Sequence, residues 1–215
     1  MARRSTVEDL VPLFLPKTDL QASAMEVCAT SDVTFLLGPA GCGKTHIAMA
    51  AALTALASPK SKITKIVITR PIVEAGESLG HLPGEIMEKV HPYMRPIYDC
   101  VNRIVKGGDR VIDNYVEVAP LAYMRGTTFN SCIAILDEAQ NCTMFQMRMF
   151  LSRLGADAKL IITGDPDQSD IGKKSALTAA VDKLHNVDGI GVVRFSDQHN
   201  VRHRLVSQIL AKLGR

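Results

Sequence analysis

Residues 33–57 read VTFLLGPAGCGKTHIAMAAALTALA, and this stretch decides the class of fold. Val33–Leu37 is a short apolar run that ends at a glycine, which predicts a buried strand. Gly43–Ala57 is rich in alanine and contains no helix breaker, which predicts a helix. Between them lies the pattern G-x-x-x-x-G-K-[ST], at residues 38–45. A strand, a loop of this pattern and a helix in direct succession are typical of a phosphate-binding loop.

The positions of this loop have separate physical roles in holding phosphate. Gly41 and Gly43 allow backbone angles and a close approach that a Cβ atom would prevent. Successive N–H groups and the helix N-terminus then face the anion. We predict that Lys44 contacts the β- and γ-phosphates and that the hydroxyl of Thr45 binds Mg²⁺. The residues predicted to bind nucleotide at this loop are Gly38, Pro39, Ala40, Gly41, Cys42, Gly43, Lys44, Thr45 and His46.

Two alternatives apply to the same loop. A glycine-containing turn can match the pattern by chance, but the flanking strand and helix argue against a chance match. Cys42 can be read as a small filler or as a redox switch, and we favour the filler.

An acidic pair ends a second apolar run, since residues 133–141 read IAILDEAQN. Ligands of parallel α/β sheets bind at the carboxyl ends of the strands, where Asp137 and Glu138 are expected. We predict that Asp137 holds Mg²⁺ and that Glu138 orients and deprotonates the attacking water. The alternative is a pair of acidic residues that only stabilises the start of a helix.

A third loop follows the run LIIT, where residues 164–168 read GDPDQ. We predict that Gln168 contacts the γ-phosphate and responds to hydrolysis. The alternative is a simple surface turn, because Gly, Asp and Pro are common in turns. A third polar loop at the same sheet edge favours the functional interpretation.

The rest of the chain alternates between predicted strands and helices. The further strands are Lys65–Thr69, Ile133–Leu136, Leu160–Thr163 and Gly191–Phe195, and the further helices are Thr143–Leu154, with Thr143 as N-cap, Ser175–Leu184 and Arg202–Leu213. Residues 83–106 have helical periodicity, and we expect Pro92 and Pro96 to divide them into shorter helices. This alternation predicts an α/β domain with a mainly parallel sheet and helices on both faces.

Composition excludes several classes of protein. The chain has 215 residues, 47% of them hydrophobic, and its 25 Lys+Arg against 22 Asp+Glu give a net charge of +3. These values predict one folded domain and argue against disorder. We expect no membrane span, no secretory signal and no membrane partner, and hence a cytoplasmic protein. The cysteines, odd in number and without a CxxC pair, argue against a disulfide framework or a zinc site: Cys28, Cys42, Cys100, Cys132 and Cys142.

Taken together, the motifs resemble those of the PhoH family, P-loop ATPases related to superfamily 1 helicases. The resemblance rests on GPAGCGKT (38–45), RPIVEAGESLGHLPG (70–84), EKVHPYMRPIYD (88–99), MRGTTFN (124–130), ILDEAQN (135–141) and TGDPDQSD (163–170). It implies one RecA-like P-loop domain over residues 1–215. Residues 1–16 would be an N-terminal extension, and residues 70–125 an insertion-like segment between the phosphate loop and the acidic pair.

The resemblance adds three candidate residues. Gln21, within KTDLQ, is similar to the glutamine by which superfamily 1 helicases read adenine, and an exposed helix residue is the alternative. Arg202 lies in a segment similar to the helicase motif whose arginine contacts the γ-phosphate. Arg125 has a weaker claim, to phosphate or to nucleic acid.

The family also implies ATP and Mg²⁺ as cofactors, RNA or single-stranded DNA as partner, and a homo-oligomeric ring, with six copies as the expected number. We expect an ATP-hydrolysing motor or remodeller of helicase type. The alternatives are an ATP-dependent switch or scaffold without unwinding activity, and a small-molecule kinase, for which no acceptor-binding lid is recognisable. Tyr93 and Tyr98 could stack on bases, but their apolar surroundings favour packing in the core.

Overall fold

The computed structural model describes residues 14–71 and 86–201, together with positions 205, 209 and 212. The strands are β1 (Val33–Leu37), β2 (Lys65–Thr69), β3 (Val116–Val118), β4 (Cys132–Leu136), β5 (Lys159–Gly164) and β6 (Ile190–Arg194). The helices are α1 (Asp19–Thr30), α2 (Lys44–Ala57), α3 (Ile86–Ile104), α4 (Gly108–Tyr115), α5 (Met144–Leu151) and α6 (Leu177–Leu184). Short 3₁₀ helices lie at Leu121–Met124, Ala139–Asn141, Gly172–Lys174 and Asp197–His199.

The six strands form one sheet in the order β3-β2-β4-β5-β1-β6. The pairings between neighbouring strands are all parallel. The phosphate-loop strand β1 therefore lies beside β5, and the acidic-pair strand β4 lies between β2 and β5. Because the strands are parallel, the loops that follow β1, β4 and β5 meet at one edge of the sheet. The prediction of a mainly parallel α/β domain is confirmed.

Alternate residues of the strands supply two separate cores. Leu36 of β1 and Ile68 of β2 belong to the core beneath α1, α2 and α3. Phe35 and Leu37 belong to the core on the opposite face of the sheet, with α5 and α6. This division follows from the two-residue period of a strand, which points successive side chains to opposite faces. The sheet is thus covered by helices on both faces, as the sequence predicts.

Two helices begin at threonine N-caps. Thr143, the predicted N-cap of α5, forms a capping box with Gln146. Thr18 caps α1 by accepting a hydrogen bond from the backbone N–H of Gln21. Such a cap compensates one of the unpaired N–H groups of the first helical turn. The cap of α1 thereby fixes the turn from which the Gln21 side chain extends.

The expected division of the proline-containing stretch is wrong, because α3 runs without interruption from Ile86 to Ile104. Pro92 and Pro96 are four residues apart, so both missing N–H groups fall near one side of the helix. A continuous helix is favoured by Ile97, Val101 and Ile104, which are buried in the core. Burial of this apolar face outweighs the local cost of the two prolines.

Other element boundaries also differ from the prediction. The edge strand β3, which pairs with β2, is a sixth strand that the sequence did not indicate. Its three residues are too few to show a periodic pattern. Helix α5 ends at Leu151 instead of Leu154, and α6 begins at Leu177 instead of Ser175.

The C-terminal prediction falls mostly outside the described residues, although positions 205, 209 and 212 are helical. Tyr98 is half-buried and packs against the core, as favoured from the sequence. The side chain of Tyr93 lies outside the described residues. Among the parts of the chain that the structure describes, no helix is long and apolar enough to cross a membrane.

Candidate functional site

A cleft of about 770 Å³ opens at the carboxyl ends of the central strands. Its walls come from the loops after β1, β4 and β5, and from α1 and α3 on one side. The order of the strands explains this position, because β1 and β4 both flank β5. The cleft therefore lies where the sequence predicts that the three polar loops meet.

The loop after β1 depends on glycine for its shape. Gly38, Gly41 and Gly43 have φ angles of 140°, 93° and 85°, a region that other residues rarely adopt. A Cβ atom on Gly38 would also lie 2.5 Å from the carbonyl oxygen of Phe195. Phe195, the residue that follows β6, thus packs closely against the phosphate loop at Gly38.

Lys44 begins α2, and its side chain folds back over the loop. The Nζ atom donates hydrogen bonds to the carbonyl oxygens of Gly38 and Pro39, at 2.6 and 2.9 Å. Burial lowers the pKa of Lys44, and the nearby carboxylates, Asp165 first among them, partly oppose this shift. The ammonium group is therefore held by neutral carbonyl groups, which a phosphate could replace.

Asp137 is almost completely buried at the end of β4, with 1% of its side chain exposed. Its Oδ1 atom accepts hydrogen bonds from the hydroxyl of Thr45, at 2.9 Å, and from the hydroxyl of Thr163. A carboxylate beside a hydroxyl is an oxygen donor pair of the kind that Mg²⁺ prefers. Within the described ranges no cluster of three or more His, Cys, Asp or Glu residues could hold a metal. The Thr45–Asp137 pair fits Mg²⁺ completed by phosphate oxygens and water.

Glu138 adopts a left-handed backbone conformation, with φ of 55° and ψ of 41°. Its side chain is 46% exposed, in contrast to the buried Asp137 beside it. The Oε2 atom accepts a hydrogen bond from Nε2 of Gln140 at 2.6 Å. Gln140 in turn accepts a hydrogen bond at its Oε1 atom from the backbone N–H of Asp165, at 3.0 Å. The acidic pair and the loop after β5 are thereby connected.

Gln21 lies across the phosphate loop and is only 2% exposed. Its Nε2 atom donates to the carbonyl oxygen of Cys42 at 3.0 Å, and its Oε1 atom accepts from the backbone N–H of Lys17 at 2.8 Å. The alternative of an exposed helix residue is thus wrong. The Sγ atom of Cys42 lies 3.6 Å from the carbonyl oxygen of Ser196.

His46 lines the cleft, as Gln21 does. Burial lowers the pKa of His46, and the positive charges of Arg103 and Lys17 lower it further. The imidazole therefore favours its neutral form, in which one ring nitrogen donates and the other accepts a hydrogen bond.

The structure brings most of the predicted site residues together. The predicted residues that line the cleft are Gln21, Ala40, Gly41, Gly43, Lys44, Thr45, His46, Asp137, Glu138 and Gln168. The carbonyl groups of Gly38, Pro39 and Cys42 accept the hydrogen bonds of Lys44 and Gln21. Arg125 is exposed and is not among the described residues that line the cleft. Arg202 lies outside the described residues.

Three residues of the site were not predicted from the sequence. Arg70 forms an ion pair with Asp137, with Nη2 at 2.7 Å and Nε at 2.9 Å from Oδ2. Thr163 bonds to the same carboxylate, and Gln140 holds Glu138. Their position in the sequence could have indicated them, since each follows a strand or lies at its end, at the carboxyl edge of the sheet. Arg70 comes one residue after Thr69, which pairs with Leu136 just before Asp137.

Comparison with protein families identifies the chain. The family model described as PhoH-like protein matches residues 14–213. The chain belongs to the PhoH family. PhoH-like proteins of Bacillus subtilis (strain 168) and Mycobacterium tuberculosis (strain ATCC 25618 / H37Rv) are 47% and 44% identical over 90% and 93% of this chain. Protein PhoH of Escherichia coli (strain K12) is 40% identical over 98% of it. The matched part is 58–62% of the length of these three relatives.

One solved structure shares the α/β fold of this PhoH-family chain. The HK97 bacteriophage large terminase matches 90% of the chain and 44% of its own length, with a TM-score of 0.50 at 16% identity. The Sulfolobus solfataricus SWI2/SNF2 ATPase core, solved in complex with dsDNA, matches 70% of the chain and 32% of its own length. Its TM-score is 0.45 at 13% identity.

Proposed function

We propose that this PhoH-family chain binds ATP with Mg²⁺ in the cleft and hydrolyses it. The observation that supports this most strongly is the convergence of Lys44, Thr45, Asp137 and Glu138 on one cleft. These four groups are the phosphate-binding, metal-binding and water-activating parts that phosphoryl transfer requires. They come from three different loops, so a chance match of one motif does not explain their meeting.

The residues of the phosphate loop and α1 would bind the nucleotide. The N–H groups of the loop and of the first turn of α2 would surround the phosphates. Lys44 would leave the carbonyl groups of Gly38 and Pro39 for the β- and γ-phosphate oxygens. The amide of Gln21, which can donate and accept at once, matches the N6 and N7 edge of adenine.

The acidic pair and the loop after β5 would carry out hydrolysis. Glu138 would orient a water molecule and accept its proton as the water attacks the γ-phosphate. Gln140 holds the Glu138 carboxylate at Oε2, and the other oxygen, Oε1, lies 3.5 Å from Nη2 of Arg70. Thr45 and, through water, Asp137 would hold Mg²⁺, which would supply positive charge to offset the charge of the phosphates. Gln168 lines the cleft beside Glu138 and would contact the γ-phosphate.

We further propose that a second copy of the chain completes the site, in a ring that acts on RNA or single-stranded DNA. Glu138 and Gln168 line both the cleft and a second, more polar pocket. Arg202 is our candidate for the arginine that stabilises transition-state charge. In support, the backbone N–H of Val201, the residue before Arg202 in the sequence, donates to the carbonyl oxygen of Gly41 at 3.1 Å.

Steady-state ATP hydrolysis with and without single-stranded RNA and DNA tests the proposal. We expect the wild-type chain to hydrolyse ATP, nucleic acid to stimulate turnover, and Glu138→Gln to lose turnover in every condition. Hydrolysis that ignores all nucleic acids would favour an ATP-dependent switch or scaffold that uses the same site. Absence of hydrolysis in all conditions would contradict the proposed enzyme activity.

A further inference from the structure

Arg70 is a direct positive partner of both members of the acidic pair, Asp137 and Glu138. Its Nη2 atom lies 2.7 Å from Oδ2 of Asp137 and 3.5 Å from Oε1 of Glu138. The parallel register of β2 and β4 produces this contact, because Thr69 pairs with Leu136 and the next residues lie side by side. Lys44 is turned towards carbonyl groups of its own loop instead. Among the residues that the structure describes, Arg70 is therefore the cation that forms an ion pair with the Asp137 carboxylate.

The hydrogen-bonding capacity of Asp137 is largely used. Two hydroxyl groups bond to Oδ1, and the guanidinium group bonds to Oδ2 through two nitrogens. A metal ion that approaches this carboxylate must share it with a unit positive charge only a few ångströms away. Coulomb repulsion at such a distance is substantial even near a protein surface.

We propose that Arg70 is a built-in counter-cation that keeps free divalent metal from Asp137 until a nucleotide brings the metal in. The proposal rests on the proposed function, since it assigns Asp137 to the metal of an ATP site. Nucleotide phosphates add the negative charge that lets both cations remain. Glu138 offers Arg70 a second acceptor 3.5 Å away, so the guanidinium group can move off Asp137 and keep a partner.

A counter-cation and a purely structural ion pair predict different changes in metal affinity when Arg70 is removed. A buried carboxylate needs compensation, so loss of Arg70 destabilises the fold under either interpretation. A purely structural role would lower or preserve the affinity of the site for metal. A counter-cation role raises this affinity, because its removal leaves two carboxylates without their neutralising charge.

The test is titration of the nucleotide-free protein with Mn²⁺, followed by the electron paramagnetic resonance signal of the free ion. Mn²⁺ is suitable because it takes the same oxygen ligands as Mg²⁺. We expect Arg70→Gln to bind Mn²⁺ at least about thirtyfold more tightly than wild type, which is the effect of a unit charge about 4 Å from a divalent ion at the dielectric constant of water. Arg70→Lys, which keeps the charge, should stay within about twofold of wild type.

Two controls make the result specific to this site. Arg110→Gln removes the same charge from an exposed position on α4 and should leave the Mn²⁺ affinity unchanged. Arg70→Gln combined with Asp137→Asn should lose the gain in affinity. If Arg70→Gln does not fold, Arg70→Gln is instead introduced into a Glu138→Gln background. Fewer charges then lack a partner, and the Mn²⁺ affinity of this double variant is compared with that of Glu138→Gln alone.

An Arg70→Gln protein that binds Mn²⁺ no more tightly than wild type, in either background, would overturn the counter-cation role. ATP hydrolysis by the wild-type protein is measured separately. A tighter metal site in a chain that does not hydrolyse ATP would support Arg70 and contradict the proposed function. If wild type hydrolyses ATP but Arg70→Gln binds Mn²⁺ no more tightly, the proposed function is supported and the counter-cation role of Arg70 is contradicted.

Discussion

The Nε2 atom of Gln140 lies 2.6 Å from the Oε2 atom of Glu138, so the carboxylate proposed as general base is held from within its own motif. The other end of the same amide accepts the backbone N–H of Asp165 at 3.0 Å. One buried side chain thus links the loop after β4 to the loop after β5. Loss of this link should affect orientation more than binding.

We expect Gln140→Leu to lower kcat for ATP hydrolysis about tenfold and to leave KM within about twofold, the pattern of a lost positioning contact. Gln140→Glu retains an acceptor for Asp165 but places a second carboxylate beside Glu138, so its kcat should fall as well. Steady-state kinetics of both variants give the answer. An unchanged kcat in Gln140→Leu would show that Glu138 needs no such support.

Gly38 is expected to tolerate a side chain less well than Gly107. Gly38→Ala combines a positive φ with a Cβ atom 2.5 Å from Phe195, and should lower the free energy of unfolding by about 2–4 kcal/mol. Gly107→Ala is the control, since Gly107 also has a positive φ but no neighbour within 4 Å. It should cost about 1 kcal/mol. Equal losses in urea unfolding would contradict the role assigned to the Phe195 contact.

Thr69 and Thr163 are buried threonines that should respond in opposite ways to valine. The hydroxyl of Thr69 is buried and finds no hydrogen-bond partner in the described part of the chain. Thr69→Val should therefore raise the free energy of unfolding by about 1 kcal/mol. Thr163→Val removes a hydroxyl bonded to Asp137 and should lower it by about 2 kcal/mol. Thermal or urea unfolding measures both, and destabilisation by Thr69→Val would refute the first expectation.

His46 should make the stability of the fold depend on pH. Because burial, with Arg103 and Lys17, lowers its pKa below 6.5, the unfolded chain binds a proton that the folded chain disfavours. The contribution of His46 to stability is complete above pH 6.5 and decreases as the pH falls through the lowered pKa. Urea unfolding from pH 7.5 to 5.5 should show a shallower decline for His46→Gln than for wild type. Parallel declines would contradict this assignment.

The phosphate loop and acidic pair could be predicted because their information is local. Gly41, Lys44 and Thr45 form a continuous motif between a strand and a helix, and the structure lines the cleft with them. The capping box at Thr143 is also a local feature, since it involves only the four residues from Thr143 to Gln146. The chain order of β1, β4 and β5 was enough to expect that their loops share one edge.

The remaining features depend on long-range packing. The Arg70–Asp137 pair requires the register of two strands 67 residues apart, which no local pattern contains. The continuity of α3 through Pro92 and Pro96 follows from burial of its apolar face, and this outweighs the helix-breaking rule. The edge strand β3 exists because β2 offers it a partner, since its three residues carry too little pattern of their own.

The most direct test of the account is single-site replacement of Glu138 with a matched control. Glu117→Gln makes the same change at a glutamate that pairs with Lys65 on exposed surface. We expect wild type and Glu117→Gln to hydrolyse ATP at similar rates, and Glu138→Gln to bind ATP but turn it over about 10²–10⁴-fold more slowly. Turnover by Glu138→Gln at the wild-type rate would contradict the account, because the cleft would then lack the base on which it depends.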